Sequence, residues 1–360
     1  MIKIELLQPQ DEKLWDEFVV NHPDGRFSQT IAYKKVLEKT YDYTAKYIVL
    51  KKGEQILSIL PIFYWKNIFG MKNLVSMPFA DYGGILTEDL NKPEADILIN
   101  FVKEIIDGLK VPFLKINADI DLDKQNHLLN YFVKKKNDQR AVLTLSPAKI
   151  MWENILDRSV RKCVNMAYRE GLKCETETSP DSISNHFYPL YLKTMKRFGT
   201  PPHSLLYFQN KLKYFNDKMK LFLVKDKNIT VAALLGFAMG ETAQITKTAS
   251  DLKYWHKRPN DLAHWEFIKW AADNNFKRFD FGPVRYENQA QYKVKWGAEL
   301  LDNYSYYLFS QEEKKAGGVK PGGSLLEVKS FKKCFSKIWS YLPISITENF
   351  GPFIRRNIGR

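Results

Sequence analysis

"YIVLKKGEQILSILPIFY", residues 47–64, sets two β-rich runs on either side of Lys51-Lys52-Gly53-Glu54, which is the spacing and turn chemistry of a β-hairpin. The plan recurs in "LFLVKDKNITVAALLGF", residues 221–237, where Lys225-Asp226-Lys227-Asn228 joins two similar runs. Downstream of each hairpin come a short strand (73–76 and 243–247), a helix-periodic segment (95–109 and 263–274) and a further strand (113–117 and 278–281). A repeated β-turn-β, β, α, β order predicts an α/β fold of tandem duplicated domains, each a mixed sheet flanked by helices, with a cleft between the copies. The boundaries read as 1–145 and 146–310, with 311–360 as a polar link and a basic amphipathic tail.

The divider between the copies reads as one helix. Ser146-Pro147 supplies a cap and a first-turn proline, and Gly171 supplies the stop. Leu156, Val160, Cys163, Val164 and Ala167 fall on one face, and Arg158, Arg161, Lys162, Asn165 and Arg169 on the other. Such a stripe is either a solvated face or a seat for phosphate oxygens, which guanidinium forks bind well. In the tail, a Gly-rich link at 312–323 precedes Leu325, Val328, Phe331, Phe335, Ile338, Trp339 and Leu342 at helical spacing, flanked by lysines and ending at Pro343. That pattern is a helix packed on the body or docked on an anionic membrane face.

With 360 residues and 44% hydrophobic composition the chain can bury two cores. No run of about 18 apolar residues and no secretory leader occurs, so a cytoplasmic protein, peripheral at most at the inner membrane face, is expected. Cys163, Cys174 and Cys334 are scattered and read as reduced thiols. The six histidines have no ligand-like spacing, so no metal is expected. A net charge of +14 favours polyanions such as RNA, nucleotide phosphates or an anionic membrane, with no DNA partner expected. No phosphate loop, dinucleotide fingerprint, Gly-x-Ser-x-Gly elbow or His-Glu-x-x-His is present, which removes the common ATPase, dehydrogenase and hydrolase sites.

What remains is a set of cations and tight turns: "KRFGTPPHS" (196–204), "MPFADYGGIL" (77–86) and Tyr292-Lys293-Val294-Lys295-Trp296-Gly297, the last following a strand that stops at Gly282-Pro283. The final stretch is either a surface loop running into an edge strand, or a cation held at the mouth of a pocket.

The order of "SQTIAYKKV", "LPIFYWKNIFGMKNLVSMPFADYGGIL", "RKCVNMAYREGL", "MKRFGTPPHS", "FDFGPV" and "YKVKWGAEL" resembles the FemABX-like branch of the GNAT acyltransferase superfamily, over about residues 20–310. The resemblance implies two GNAT-like domains and transfer of an acyl or aminoacyl group to an amine on a peptidoglycan precursor or another cell-envelope glycan. It places the family's aromatic-Lys pair on Tyr292-Lys293. The family's phosphate-holding cations fall on Lys34 or Lys35 and on Arg161, with Tyr82 and Arg197 as further candidates by neighbourhood. The coiled-coil arm of many tRNA-dependent members is absent, and so is the Gln/Arg-x-x-Gly-x-Gly/Ala loop of ordinary acetyl-CoA enzymes. Aminoacyl-tRNA and acyl-CoA therefore both stand as co-substrates, with no permanently bound cofactor.

Within that frame Lys293 is expected as a fixed positive charge for the oxyanion of aminolysis, with Asp280 or Asp261 as the base, or no dedicated base at all. Lys293→Met is expected to abolish turnover with little loss of stability. Two other readings remain: an acyl-CoA-dependent N-acetyltransferase of exopolysaccharide or lipid-linked sugar assembly, and a non-enzymatic RNA- or membrane-binding protein.

Overall fold

Both hairpins form, and each sits in its own unit. The computed structural model describes residues 1–88, 90–119, 126–312 and 329–358. One unit comprises residues 1–138, 302–328 and 356–360, and the other 139–301 and 329–355. Each is a mixed sheet flanked by helices.

In the first unit β1 (Ile2–Leu6) pairs antiparallel with β2 (Thr44–Lys52), which turns through Gly53 into β3 (Gln55–Lys66). Gly53 has φ +62°, a conformation that glycine adopts without the Cβ penalty. β4 (Lys72–Val75) and β5 (Leu86–Thr87) both pair with β3, and β6 (Phe113–Ala118) runs parallel to β4. Helices α1 (Glu12–Asn21), α2 (Ile31–Tyr41), α3 (Lys92–Leu109) and α4 (Asn126–Leu129) complete the unit. Asn91 starts α3 through a capping box: its side chain accepts from the Glu94 N–H while Glu94 accepts from the Asn91 N–H. Leu98, Val102 and Ile106 of α3 are then buried against Ile48, Leu60 and Ile62, each such side chain contributing about 1.5–3 kcal/mol.

The second unit repeats the plan. β8 (Leu172–Thr176), β9 (Met219–Asp226), β10 (Ile229–Met239) and β11 (Thr242–Ser250) form an antiparallel run. Helix α9 (Pro259–Asp273) crosses to β12 (Arg278–Val284), which lies parallel to β11. Gly236 stands at the β10 bulge because a Cβ there would meet Phe267 Cε1 of α9 at 2.4 Å.

The last strand of each sheet comes from the stretch that follows the other copy. Residues 139–144 of β7 (Val133–Thr144) pair antiparallel with β12, and residues 304–309 of β13 (Glu299–Phe309) pair antiparallel with β6. Contiguous domains at 1–145 and 146–310 do not contain this connectivity.

Two local expectations are corrected, and two others gain detail. The helix read across 147–171 is broken: α5 (Ala148–Ile150) and a π-helical turn, Met151–Ile155, end at an extended Leu156, and α6 (Arg158–Arg169) starts afresh. The cause is Asp157, whose carboxylate accepts from the Ser159 N–H at 2.7 Å and caps the new helix. Residues 287–294 form a helix, α10 (Glu287–Val294), where a loop and edge strand were expected. The Gly-Thr-Pro-Pro turn after α7 (Tyr188–Arg197), ahead of α8 (Leu205–Phe215), is a seat for the C-terminal segment. A Cβ on Gly199 would lie 2.0 Å from the Ser336 carbonyl oxygen, and one on Gly351 would lie 2.3 Å from Pro202. Finally, the tail holds two helices, α11 (Lys329–Tyr341) and α12 (Ile344–Ile358), split at Pro343. Residues 313–323 of the link, with Leu325 and Val328, lie outside the described residues.

Candidate functional site

β11 and β12 are paired only at Thr242–Gln244 with residues 278–280. Beyond Gln244 the strands diverge, and among the described residues no strand pairs with β11 on its β12 side. Where β12 departs, its register with β7 slips between Asp280 and Pro283, and Gly282 takes φ +74°. The slip brings three successive carbonyls together. Lys293, delivered by α10, donates from Nζ to the carbonyls of Phe281 (2.9 Å), Gly282 (3.0 Å) and Pro283 (2.8 Å). An ammonium has three N–H groups, so this cation is a clamp on the bulge as well as a charge at the strand divergence.

Asp280 serves the same bulge. Its side chain is 1% exposed, one oxygen accepts from the Gly282 N–H at 2.7 Å, and the other lies 3.9 Å from Arg140 Nη1 on β7. This is the backbone-capping role open to a strand-end carboxylate, and it leaves Asp280 poorly placed as a base.

Asp261 is in a different situation. It sits in the first turn of α9 and accepts a hydrogen bond from the Tyr292 hydroxyl at 3.1 Å. Burial raises its carboxyl above the ordinary range, the direction that suits a proton acceptor near neutrality. The Tyr292 phenol is pushed well above its ordinary value, by burial first and by the Asp261 charge second. One turn along α9, His264 holds Asn260 O at 2.6 Å through Nδ1; a carbonyl only accepts, so Nδ1 carries the proton. Its ring lies among Phe281, Tyr292 and Trp296, and burial lowers its pKa to about 4, which keeps it neutral at pH 7.

On α6 an open cavity of about 920 Å³ is lined by Arg158, Arg161, Lys162 and Arg169 together with Trp152 and Tyr168. Arg161 is tied back: Nη1 donates to the carbonyls of Trp152 (3.0 Å) and Glu153 (2.7 Å), capping the π-helical turn. Trp152 packs against Trp265 of α9 with ring centroids 4.7 Å apart and planes tilted by 52°, and the Tyr168 hydroxyl donates to Glu266, so the walls are fixed from beneath. Arg158, Lys162 and Arg169 remain exposed along the rim.

The other expected residues are dispersed. Arg197 lies toward the far end of β11, its guanidinium 4.8 Å over the Trp255 ring and Nη1 3.5 Å from Ser250 O. Lys34, Lys35 and Tyr82 belong to the first unit. There Lys34 pairs with Glu38 at 3.1 Å and Lys35 with Glu12 at 2.8 Å, while Tyr82 is a core residue, 2% exposed. These cations are neutralised by carboxylates on α1 and α2. The sequence reading missed His264, Arg140 and Trp152. An Asp261-x-x-His264 spacing at a proline-started helix was the available signal for the first; the other two had none.

The "Acetyltransferase (GNAT) domain" family matches residues 156–294, the stretch that holds this group of side chains except Arg140 and Trp152. No curated protein matches the chain. Among solved structures, FemX superposes with a TM-score of 0.72 at 16% identity, covering 87% of this chain and 99% of that one. A C-terminal domain assigned to a lysylphosphatidylglycerol synthetase of Agrobacterium fabrum gives 0.57 at 11% identity, over 85% of this chain and 94% of that one. A tandem GNAT protein from the clavulanic acid biosynthesis pathway gives 0.53 at 7% identity, over 85% of this chain and 98% of that one.

Proposed function

We propose that this chain, which matches an acetyltransferase (GNAT) domain over residues 156–294 and resembles FemX in fold, transfers an aminoacyl or acyl group to an amine on a cell-envelope precursor such as a peptidoglycan intermediate. The observation that carries the reading is the divergence of β11 from β12, with the Lys293 charge on one side of it and the Asp261–Tyr292 pair close by. An activated acyl group lying in the divergence would find unpaired strand edge for its backbone-like contacts and a fixed cation near its carbonyl.

The steps balance without a further reactant. The amine nitrogen attacks the acyl carbon as the C–N bond forms and negative charge builds on oxygen. The charge of Lys293 stabilises that oxyanion through space, since its three N–H groups are held by the Phe281, Gly282 and Pro283 carbonyls. The proton leaving nitrogen passes to the Tyr292 oxygen while the Tyr292 proton moves to Asp261. It then returns to the leaving group as the C–S bond of a thioester or the C–O bond of an aminoacyl ester breaks. Arg158, Lys162 and Arg169 on α6 would hold phosphates of the donor or acceptor.

FemX-like architecture favours an envelope precursor as acceptor, and the acetyltransferase match favours acyl-CoA as donor. Titration with acetyl-CoA by calorimetry, at salt high enough to suppress loose charge pairing, separates the donors. Saturable heat would establish the CoA route and make acetylation of an amino sugar the reaction to assay. Silence with acetyl-CoA, together with amide formation from charged tRNA, would establish the aminoacyl route. Failure of both would overturn the reading in favour of a binding protein.

A further inference from the structure

The C-terminal helices bury one face and leave the other apolar. Thr347 and Gly351 of α12 are buried, with Gly351 against Pro202, and Trp339 of α11 is 4% exposed. Turned outward on α12 are Ile346 (40% exposed), Phe350 (60%) and Phe353 (52%), spaced i, i+4, i+7 so that they form a single stripe. On α11 Ile338 (60%) and Tyr341 (76%) are likewise exposed, one turn apart, and Phe198 (60%) lies at the turn on which this segment is seated. Scattered exposed apolar residues are ordinary on a protein surface. Aligned aromatic ones on consecutive helices are not, and they mark a surface that meets something apolar.

Charge identifies what it meets. Residues 329–358 carry six Lys and Arg against one Glu, a net +5 within thirty positions. A second copy carrying the same basic segment would be repelled by it, whereas an anionic bilayer attracts basic residues at its surface and accepts Phe and Ile side chains below the headgroups. No helix among the described residues is long and apolar enough to cross a membrane. The combination is that of a segment that lies in the plane of the interface.

We propose that α11 and α12 form a docking surface for an anionic lipid bilayer, inserting Ile346, Phe350 and Phe353 with Ile338 and Tyr341 beside them. This deepens the functional reading, since an envelope precursor carried on a lipid would be met at that surface, but its test needs no substrate.

The full-length protein would be floated with vesicles of phosphatidylcholine alone and of phosphatidylcholine with 30% phosphatidylglycerol (about that fraction gives a physiological surface potential). Binding to the anionic vesicles only is expected. Phe350→Ser with Phe353→Ser should weaken it by roughly tenfold or more per side chain, given the transfer free energy of a buried Phe. Both positions are exposed, so the fold should tolerate the change, and an unaltered circular dichroism spectrum would verify that. No vesicle binding, or binding that the double substitution leaves unchanged, would overturn the proposal. So would a dimer in vesicle-free light scattering that the same substitution dissolves, which would assign the face to a second copy. Acetyl-CoA titration is read separately, so loss of the donor site and loss of the membrane site are distinguishable.

Discussion

Replacing Lys293 by Met tests the central group directly, and the structure reverses what sequence alone suggested about the outcome. The ammonium gives all three of its N–H groups to the Phe281, Gly282 and Pro283 carbonyls. Hydrogen bonds to a charged donor contribute about 1.5–3 kcal/mol each. Three of them would total about 4.5 kcal/mol at the lower bound, and partial hydration of the freed carbonyls at this half-buried site brings the expected loss to about 3–4 kcal/mol. With a urea m-value of about 3 kcal/mol/M, the unfolding transition of the second unit should move down by about 1 M. Lys293→Arg keeps the charge but distributes its donors over a planar fork, so it should recover only part of the loss. Urea unfolding followed by tryptophan fluorescence reads the effect, because Trp296 lies three residues from Lys293 and is fully buried. A Met variant whose midpoint stays within about 0.3 M of the parent would refute the clamp and leave Lys293 as a purely electrostatic group.

Four further outcomes are expected. His264 has a folded pKa of about 4 against about 6.5 unfolded, so its neutral form contributes stability above pH 6.5 that is lost as pH falls toward 4. At 1.36 kcal/mol per unit that is about 3 kcal/mol, and His264→Gln should flatten the stability profile in that window while an unchanged slope would refute the assignment. Asp261 has the opposite sign: its raised carboxyl favours the fold at low pH, and that contribution is lost as pH rises through the raised value. Gly297→Ala should cost about 1–3 kcal/mol, because φ is +86° and the new Cβ would lie 2.4 Å from Ile155 Cγ2; differential scanning calorimetry showing an unchanged Tm would refute it. Arg158→Ala with Lys162→Ala should weaken binding of a phosphate-bearing donor by about tenfold per lost contact and flatten its salt dependence, whereas unchanged calorimetric Kd values would remove α6 from the binding surface.

The duplicated plan was legible because hairpin turns and strand runs are local: Gly53 and the Lys225–Asn228 turn announce themselves within four residues. Buried faces of helices were legible for the same reason, as Val160, Val164 and Ala167 show. Strand exchange was not, since pairing residues 304–309 with 113–118 is settled by contacts nearly two hundred positions apart. The break before α6 turns on one carboxylate, Asp157, that a run of apolar periodicity conceals. Tyr292 and Lys293 were singled out through the resemblance, but nothing local to the stretch announced that it is a helix and not a loop running into an edge strand. In α10 they lie a hundred degrees apart, which sends the phenol to Asp261 and the ammonium to the β12 bulge. The lysines of α2 illustrate the converse, because only the fold brings Glu12 within reach of Lys34 and Lys35.

The exchange of final strands governs how this chain can be made. As the polypeptide leaves the ribosome, the first sheet lacks its last strand until residue 309 has emerged, whereas the second takes up a strand that was synthesised before its own core. Until then β6 exposes a row of unpaired amides and carbonyls, the kind of edge on which nascent chains aggregate. A fragment cut at 145 would retain the strand its neighbour needs and lack the one it needs itself. Splitting the gene at the apparent midpoint should therefore yield two insoluble halves that recover only when refolded together.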